Sequence, residues 1–176
     1  MRYVELRRHT MRVKPGPHLS QAGIDLARRV GDTIGPFNRV ITSTIPRAYE
    51  TAIAMGFAVG EQSELLSLLV DGVEEAVGGW EAGFAAFAHA ARRGGVVASY
   101  ARQQAAFLDG IARNLPDDGA ALVISHGGVV ESQVVGCLPD ADFSLWGGYC
   151  DYCEGARLYF DGDQFVSGEV LRVERM

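Results

Sequence analysis

Two histidines and two arginines stand where three strand-like stretches of the chain come to an end. Arg8 and His9 sit in Arg7-Arg8-His9-Thr10, straight after the short apolar stretch of residues 2–7. Arg47 belongs to Ser43-Thr44-Ile45-Pro46-Arg47-Ala48, which follows Arg39-Val40-Ile41. His126 belongs to Ser125-His126-Gly127-Gly128, which follows the strongly apolar run from Ala120. Packing alone asks for none of these polar side chains. In open α/β sheets, ligands gather outside the carboxyl ends of the strands. Two of the three clusters also open helices, where unpaired N–H groups and the helix dipole favour an anion. Arginine offers a planar fork of donors that matches phosphate oxygens. A neutral imidazole can attack phosphorus through one ring nitrogen, and neighbouring cations are expected to keep His9 neutral by lowering its pKa. One Arg-His pair is an ordinary solvated loop feature. Its recurrence with Arg47 and His126 at matching strand ends predicts a phosphate-binding site.

The elements that must position these groups follow from the hydrophobic pattern. Residues 2–7 predict a first strand, and residues 8–18, with Pro15 and Pro17 around Gly16, a loop. Ser20 is an N-cap for a helix reaching about residue 34, because Ala22, Ile24, Leu26, Ala27 and Val30 recur at helical spacing. A second strand covers Arg39 to Ile41, and Ser43/Thr44 opens a helix through about Met55. Residues 65–70 fit strand or helix. Residues 71–83, glycine-rich and acidic, predict a loop. Helices are expected at 84–93 and 97–114, a strand at 120–125, and a helix from Gly127 to about Cys137. An irregular stretch over 139–154 leads to a hairpin, 156–160 and 164–173, around Asp161-Gly162-Asp163. Strands alternating with helices give an α/β fold, a three-layer sandwich with a mostly parallel central sheet flanked by helices. The 176 residues show no repeat or linker, so one domain over 1–176 is expected.

Composition narrows the partners. A formal net charge of -6 lacks the basic footprint of a nucleic-acid-binding protein, yet a few converging arginines can still make one cleft positive. No apolar run approaches the ~20 residues of a membrane-spanning helix, so neither nucleic acid nor membrane is expected as a partner. The first eight residues lack the apolar core of a signal peptide, which predicts a cytoplasmic protein. Cys137, Cys150 and Cys153 are an odd set with one CxxC and no second ligand pair. They read as reduced, semi-buried thiols rather than a zinc or redox centre. Trp80 and Trp146 are expected in the core or a cleft wall, and His18 and His89 are assigned no role.

Four segments together resemble the histidine phosphatase, or phosphoglycerate-mutase-like, superfamily. Leu6-Arg7-Arg8-His9-Thr10 is similar to its Arg-His-Gly signature, and Leu19-Ser20-Gln21-Ala22-Gly23 to its Leu-Thr-x-x-Gly helix start. Residues 43–52 are similar to its Ser-Ser-x-x-x-Arg-Ala-x-x-Thr-Ala segment, and residues 123–130 to its second-histidine strand and turn. They occur in the family's order and lie within residues 4–130. The resemblance implies a phosphomonoesterase that needs no metal or other cofactor, with His9 transiently phosphorylated. It also implies that Arg8, Arg47 and His126 hold the phosphoryl oxygens, and that a carboxylate from the acidic loop protonates the leaving oxygen. The family's Glu-x-x-x-Gly-x-Trp-Glu spacing falls on Glu74, Gly78, Trp80 and Glu81, which favours Glu74 as the acid ahead of Glu75 and Asp71. The substrate would be a phosphorylated small molecule or a phosphoprotein. The short chain points to a phosphatase rather than a mutase. The alternatives are a protein phosphohistidine phosphatase and a silent phosphate-binding regulatory module. Thr10 keeps the last in play, because the family's glycine at that position could require a positive φ that strains a β-branched residue. The asparagine that many members carry a few residues on is absent, and Arg12 or Lys14 could take its place.

Overall fold

The side-chain alternation along the central strands decides the layering. The structure, a computed structural model, describes residues 1–67 and 69–174. In β4 (Ala120–Ser125), Leu122 and Ile124 pack with Ala27 and Val30 of α1 (Gln21–Gly31) and with Ala48 and Ala52 of α2 (Pro46–Ala54). Ala121 and Val123 point the other way. They join a larger cluster with Phe84 and Phe87 of α4 (Phe84–Arg92), Leu108 of α5 (Gly95–Arg113) and Val134 of α6 (Val129–Cys137). Successive strand residues face opposite sides of a sheet. A strand buried along its whole length, as β4 is, therefore needs helices on both faces. The result is the expected α/β sandwich.

The sheet is completed by β1 (Arg2–Arg8), β2 (Arg39–Thr42), β3 (Glu61–Gln62), β5 (Gly155–Asp161) and β6 (Gln164–Leu171), in the order β3-β2-β4-β1-β5-β6. The pairs β3–β2, β2–β4 and β4–β1 are parallel, while β1–β5 and β5–β6 are antiparallel. The register sets Arg8 beside Ser125 and Thr42 beside Ile124, so the carboxyl ends of β1, β4 and β2 lie together. Because β5 runs backwards, its amino end arrives at the same edge: Gly155 pairs with Arg7, and Cys153 N–H donates to the Arg8 carbonyl at 3.1 Å.

Several element boundaries differ from the sequence pattern. Helix α2 starts at Pro46, not at Ser43: proline keeps the preceding Ile45 extended and suits the first helical turn, and the Ser43 hydroxyl lies beside His126 across the strand ends. Helix α6 starts at Val129, after a turn in which Gly128 takes φ +85°. Helix α1 stops at Gly31. The acidic stretch expected as a loop folds into a short helix, α3 (Val73–Val77), and a 3₁₀ turn over Trp80–Ala82. Val73 is fully buried and Val77 packs on the same cluster, an i, i+4 pair whose burial outweighs the surrounding glycines. In the ambiguous stretch 65–70, a 3₁₀ turn covers Glu64–Leu66, and Leu68 lies outside the described residues. Among the described residues, no helix is long and apolar enough to cross a membrane.

Candidate active site

The end of β1 enters a cleft of about 540 Å³ whose lining includes Arg8, His9, Arg47 and His126 together with Glu74. The five side chains picked out in the sequence therefore meet in one place. The His9 N–H donates to the Ser125 carbonyl at 2.9 Å, which locks the end of β1 to the end of β4. Its side chain is 5% exposed. His9 Nδ1 lies 2.7 Å from the Thr10 carbonyl. A carbonyl only accepts, so Nδ1 carries the hydrogen and Nε2 carries the lone pair. Arg47 Nε donates to that Nε2 at 3.2 Å, consistent with the same tautomer.

Burial pushes the His9 pKa down to about 2, and the charges of Arg8 and Arg47 add to the shift. The sequence argument gave those cations as the cause, but the exclusion of water outweighs them. His126 behaves alike: burial, then Arg47 and Arg8, pull it to about 3. Its ring lies 5.2 Å from that of His9, centroid to centroid. Its Nε2 is 2.8 Å from Ser43 Oγ, and its Nδ1 has no hydrogen-bond partner among the described residues. Both rings are thus neutral near pH 7, and Arg8 and Arg47 supply the positive charge.

Arg8 is held by aromatic faces. Its guanidinium carbon lies 4.7 Å from the Trp80 ring centroid and 4.3 Å from that of Tyr152, two cation–π contacts. Asp151 lies 3.6 Å from Nη1. Trp80 stands on the acidic segment and lies against the second-histidine turn. A Cβ on Gly127 would come within 2.4 Å of the indole, so that position must be glycine for the contact to form. Trp80 is therefore cleft wall, whereas Trp146 packs on Phe84 and Phe143.

Thr10 is not strained. Among the described non-glycine residues, only Asp118 and Cys153 have positive φ. Thr10 is fully buried, takes the Thr51 hydroxyl on its N–H at 3.0 Å and donates its own hydroxyl to the Gly23 carbonyl at 2.8 Å. The departure from glycine is absorbed by hydrogen bonding.

Of the acidic candidates, Glu74 and Glu81 line the cleft, and Glu75 and Asp71 do not. Arg12 and Lys14 line it too, and one Arg12 nitrogen donates to the Gly16 carbonyl at 3.1 Å. His18 pairs instead with Glu50 at 2.7 Å. The three cysteines are buried free thiols. Among the described residues, no group of three or more His, Cys, Asp or Glu is arranged to hold a metal ion. Tyr152 and Glu131 escaped the sequence argument. Tyr152 lies in an irregular stretch with no local signal. Glu131, three residues after Gly128, carries the spacing of a helix-capping acid.

The chain belongs to the histidine phosphatase superfamily: the profile of its branch 1 matches residues 4–170. Three solved structures share the fold. One is the phosphoserine phosphatase of Entamoeba histolytica, in complex with 3-phosphoglyceric acid. It is 18% identical, with a TM-score of 0.70 over 99% of this chain and 98% of that one. Another is the phosphoglycerate mutase of Thermus thermophilus, 18% identical, with a TM-score of 0.61 over 98% and 99%. The third is the protein histidine phosphatase SixA complexed with tungstate, 17% identical, with a TM-score of 0.61 over 96% of each chain. Because a chain called a mutase is matched over nearly its full length, chain length does not separate phosphatase from mutase here. No curated protein sequence matches the chain.

Proposed function

We propose that this protein is a metal-independent phosphomonoesterase that works through a phosphohistidine on His9. The observation that carries this reading is the His9 tautomer: Nδ1–H is committed to the Thr10 carbonyl, and an unprotonated Nε2 faces Arg47 within the cleft. Nε2 attacks phosphorus, the ester P–O bond breaks, and the alkoxide takes a proton from a cleft carboxyl. Water, giving a proton back to that carboxylate, then attacks phosphorus, the P–Nε2 bond breaks, and phosphate leaves. Arg8, Arg47 and His126 hold the non-bridging oxygens, where donors fixed in advance stabilise the developing charge. Glu74 is our choice of acid, with Glu81, which shares the cleft, as the competitor.

A cleft carboxyl favours an ester over a phosphohistidine substrate, because an alkoxide must be protonated to leave and an imidazole needs far less help. Arg12 and Lys14 at the mouth suit a substrate with further negative charge. The protein is expected to act on a small phosphorylated molecule, with no nucleic acid or membrane partner, in the cytoplasm. Unstrained Thr10 removes the motive for a silent module.

Turnover of p-nitrophenyl phosphate and alkyl phosphates in EDTA, with an acid-labile, alkali-stable phosphoprotein trapped by quenching, is the expected result. It should vanish in folded His9→Ala. Near wild-type turnover by that variant refutes the mechanism. Glu74→Gln should slow alkyl phosphates far more than p-nitrophenyl phosphate, whose leaving group needs little protonation. If Glu81→Gln has that signature instead, the acid is Glu81.

A further inference from the structure

Behind the cleft lies a carboxyl that the chemistry above does not use. Glu131 sits in the first turn of α6 and is 0% exposed. Its Oε2 accepts the Gly128 N–H at 3.0 Å, and Oε1 has no well-formed hydrogen bond among the described residues. Gly128 belongs to the turn that carries His126, and the His126 carbonyl accepts the Val130 N–H at 3.2 Å. On the other side stands Cys150. Its carbonyl accepts Arg8 Nη1 at 3.4 Å, and its backbone also acts on the Glu131 carboxylate. A buried carboxyl thus fixes the turn that holds His126 and lies near the peptide that holds Arg8. Arg8 Nε, buried as well, has no partner among the described residues.

We propose that Glu131 is a positioning residue for the phosphoryl pocket: it holds the His126–Gly127–Gly128 turn and, by carrying or losing its negative charge, sets how much of the charge on Arg8 is available to a bound anion. Its role in this form requires that the cleft bind phosphoryl groups as set out above. An ionised carboxylate in a dry wall offsets the guanidinium and repels a dianion, whereas the neutral acid removes that opposing charge. Burial lifts the Glu131 pKa to about 7, against the Gly128 N–H, the Cys150 backbone and Arg8, which favour the anion. The charge therefore changes in the range where a cell works.

The buried histidines and thiols nearby do not share that titration. His9 and His126 stay neutral down to about 2 and about 3. Burial pushes the Cys150 thiol up and holds Cys153 at about 11. On β1 the charged neighbour is Arg8, and the irregular segment adds Tyr149, Tyr152 and Asp151 around that arginine. Of the helices packed on α6, α5 carries Tyr100, whose phenol burial keeps neutral. Helix α4 carries His89 and Arg92, both exposed.

The test is tungstate binding by calorimetry from pH 5.5 to 8.5, with tungstate kept dilute enough to stay a monomeric dianion throughout. Wild-type affinity should fall at least about fivefold as pH rises through 7, the lower bound set by a carboxylate and a dianion roughly 10 Å apart at an effective dielectric as high as about 70. Glu131→Gln keeps an acceptor for Gly128 N–H and mimics the neutral acid. It should bind at the wild-type low-pH strength at every pH. A flat wild-type profile, or a Glu131→Gln protein with the wild-type slope, overturns the proposal. If the variant does not fold, proton uptake by the wild type decides. Binding an anion should raise the Glu131 pKa by reciprocity, so tungstate binding near pH 7 should take up protons, read from heats in two buffers. No uptake overturns the proposal. Binding without pH linkage would spare the phosphatase assignment, whereas no tungstate binding at any pH would overturn both.

Discussion

Acidification should destabilise this protein through its two buried histidines, in a way that can be worked out group by group. In the unfolded chain His9 and His126 titrate near 6.5, but in the fold burial holds them at about 2 and about 3. Below 6.5 the unfolded chain therefore binds two protons that the folded one refuses, and stability is lost as pH falls. Glu131 works in the opposite sense. Its folded pKa of about 7 exceeds the unfolded 4.5, so between those values the folded state holds a proton that the unfolded state lacks. From 6.5 to 4.5 the unfolded state has an excess of two minus one, or one proton. At about 1.4 kcal/mol per proton per pH unit, stability falls by about 1.4 kcal/mol per unit. Below 4.5 Glu131 is protonated in both states, and the slope steepens to about 2.7 kcal/mol per unit. Above 6.5 the last of the histidine titration and that of Glu131 offset each other, so stability is level to within about 0.1 kcal/mol from pH 6.5 to 8. Urea unfolding from pH 4.5 to 7.5 measures this curve. His126→Asn should flatten the limb between 6.5 and 4.5, whatever its absolute stability. A wild-type curve flat from 6.5 to 4.5, or an unchanged slope in His126→Asn, refutes the claim that burial keeps these rings neutral.

Two substitutions probe the cleft more directly. Arg47→Lys keeps a charge but loses the planar fork and the Nε donor to His9, so kcat/KM should fall by about 10²–10³, as on loss of an oriented transition-state donor; full activity would remove the bidentate role. Gly127→Ala drives a methyl to within 2.4 Å of the Trp80 ring, which should cost about 1–3 kcal/mol and displace the indole from Arg8. Thermal unfolding and tryptophan fluorescence check this, and an unchanged spectrum with full activity would show that the Trp80 contact is dispensable.

The candidate site residues were legible in the chain because each follows an apolar strand, and strand ends in a parallel sheet share an edge. Arg8, His9, Arg47 and His126 could be assembled on that basis, and the layered α/β fold followed from strands alternating with helices. The spacing also singled out Glu74, and the cleft contains it, but Glu75 was ranked next, whereas the second acid in the cleft is Glu81. The short helix α3 was hidden because glycine and acid content describes local preference, while Val73 and Val77 are fixed by what they pack against.

Tertiary structure alone decided the rest. The reversal of β5 brings Cys150 and Tyr152 to the carboxyl end of β1, and no local pattern announces a strand's direction. Thr10 could be judged only once Thr51 and Gly23 were in place as its partners. The neutrality of His9 and the poised charge of Glu131 depend chiefly on how much water the fold excludes. That is a property of several segments meeting, so the sequence names the titratable groups while the packed structure sets when they hold a proton.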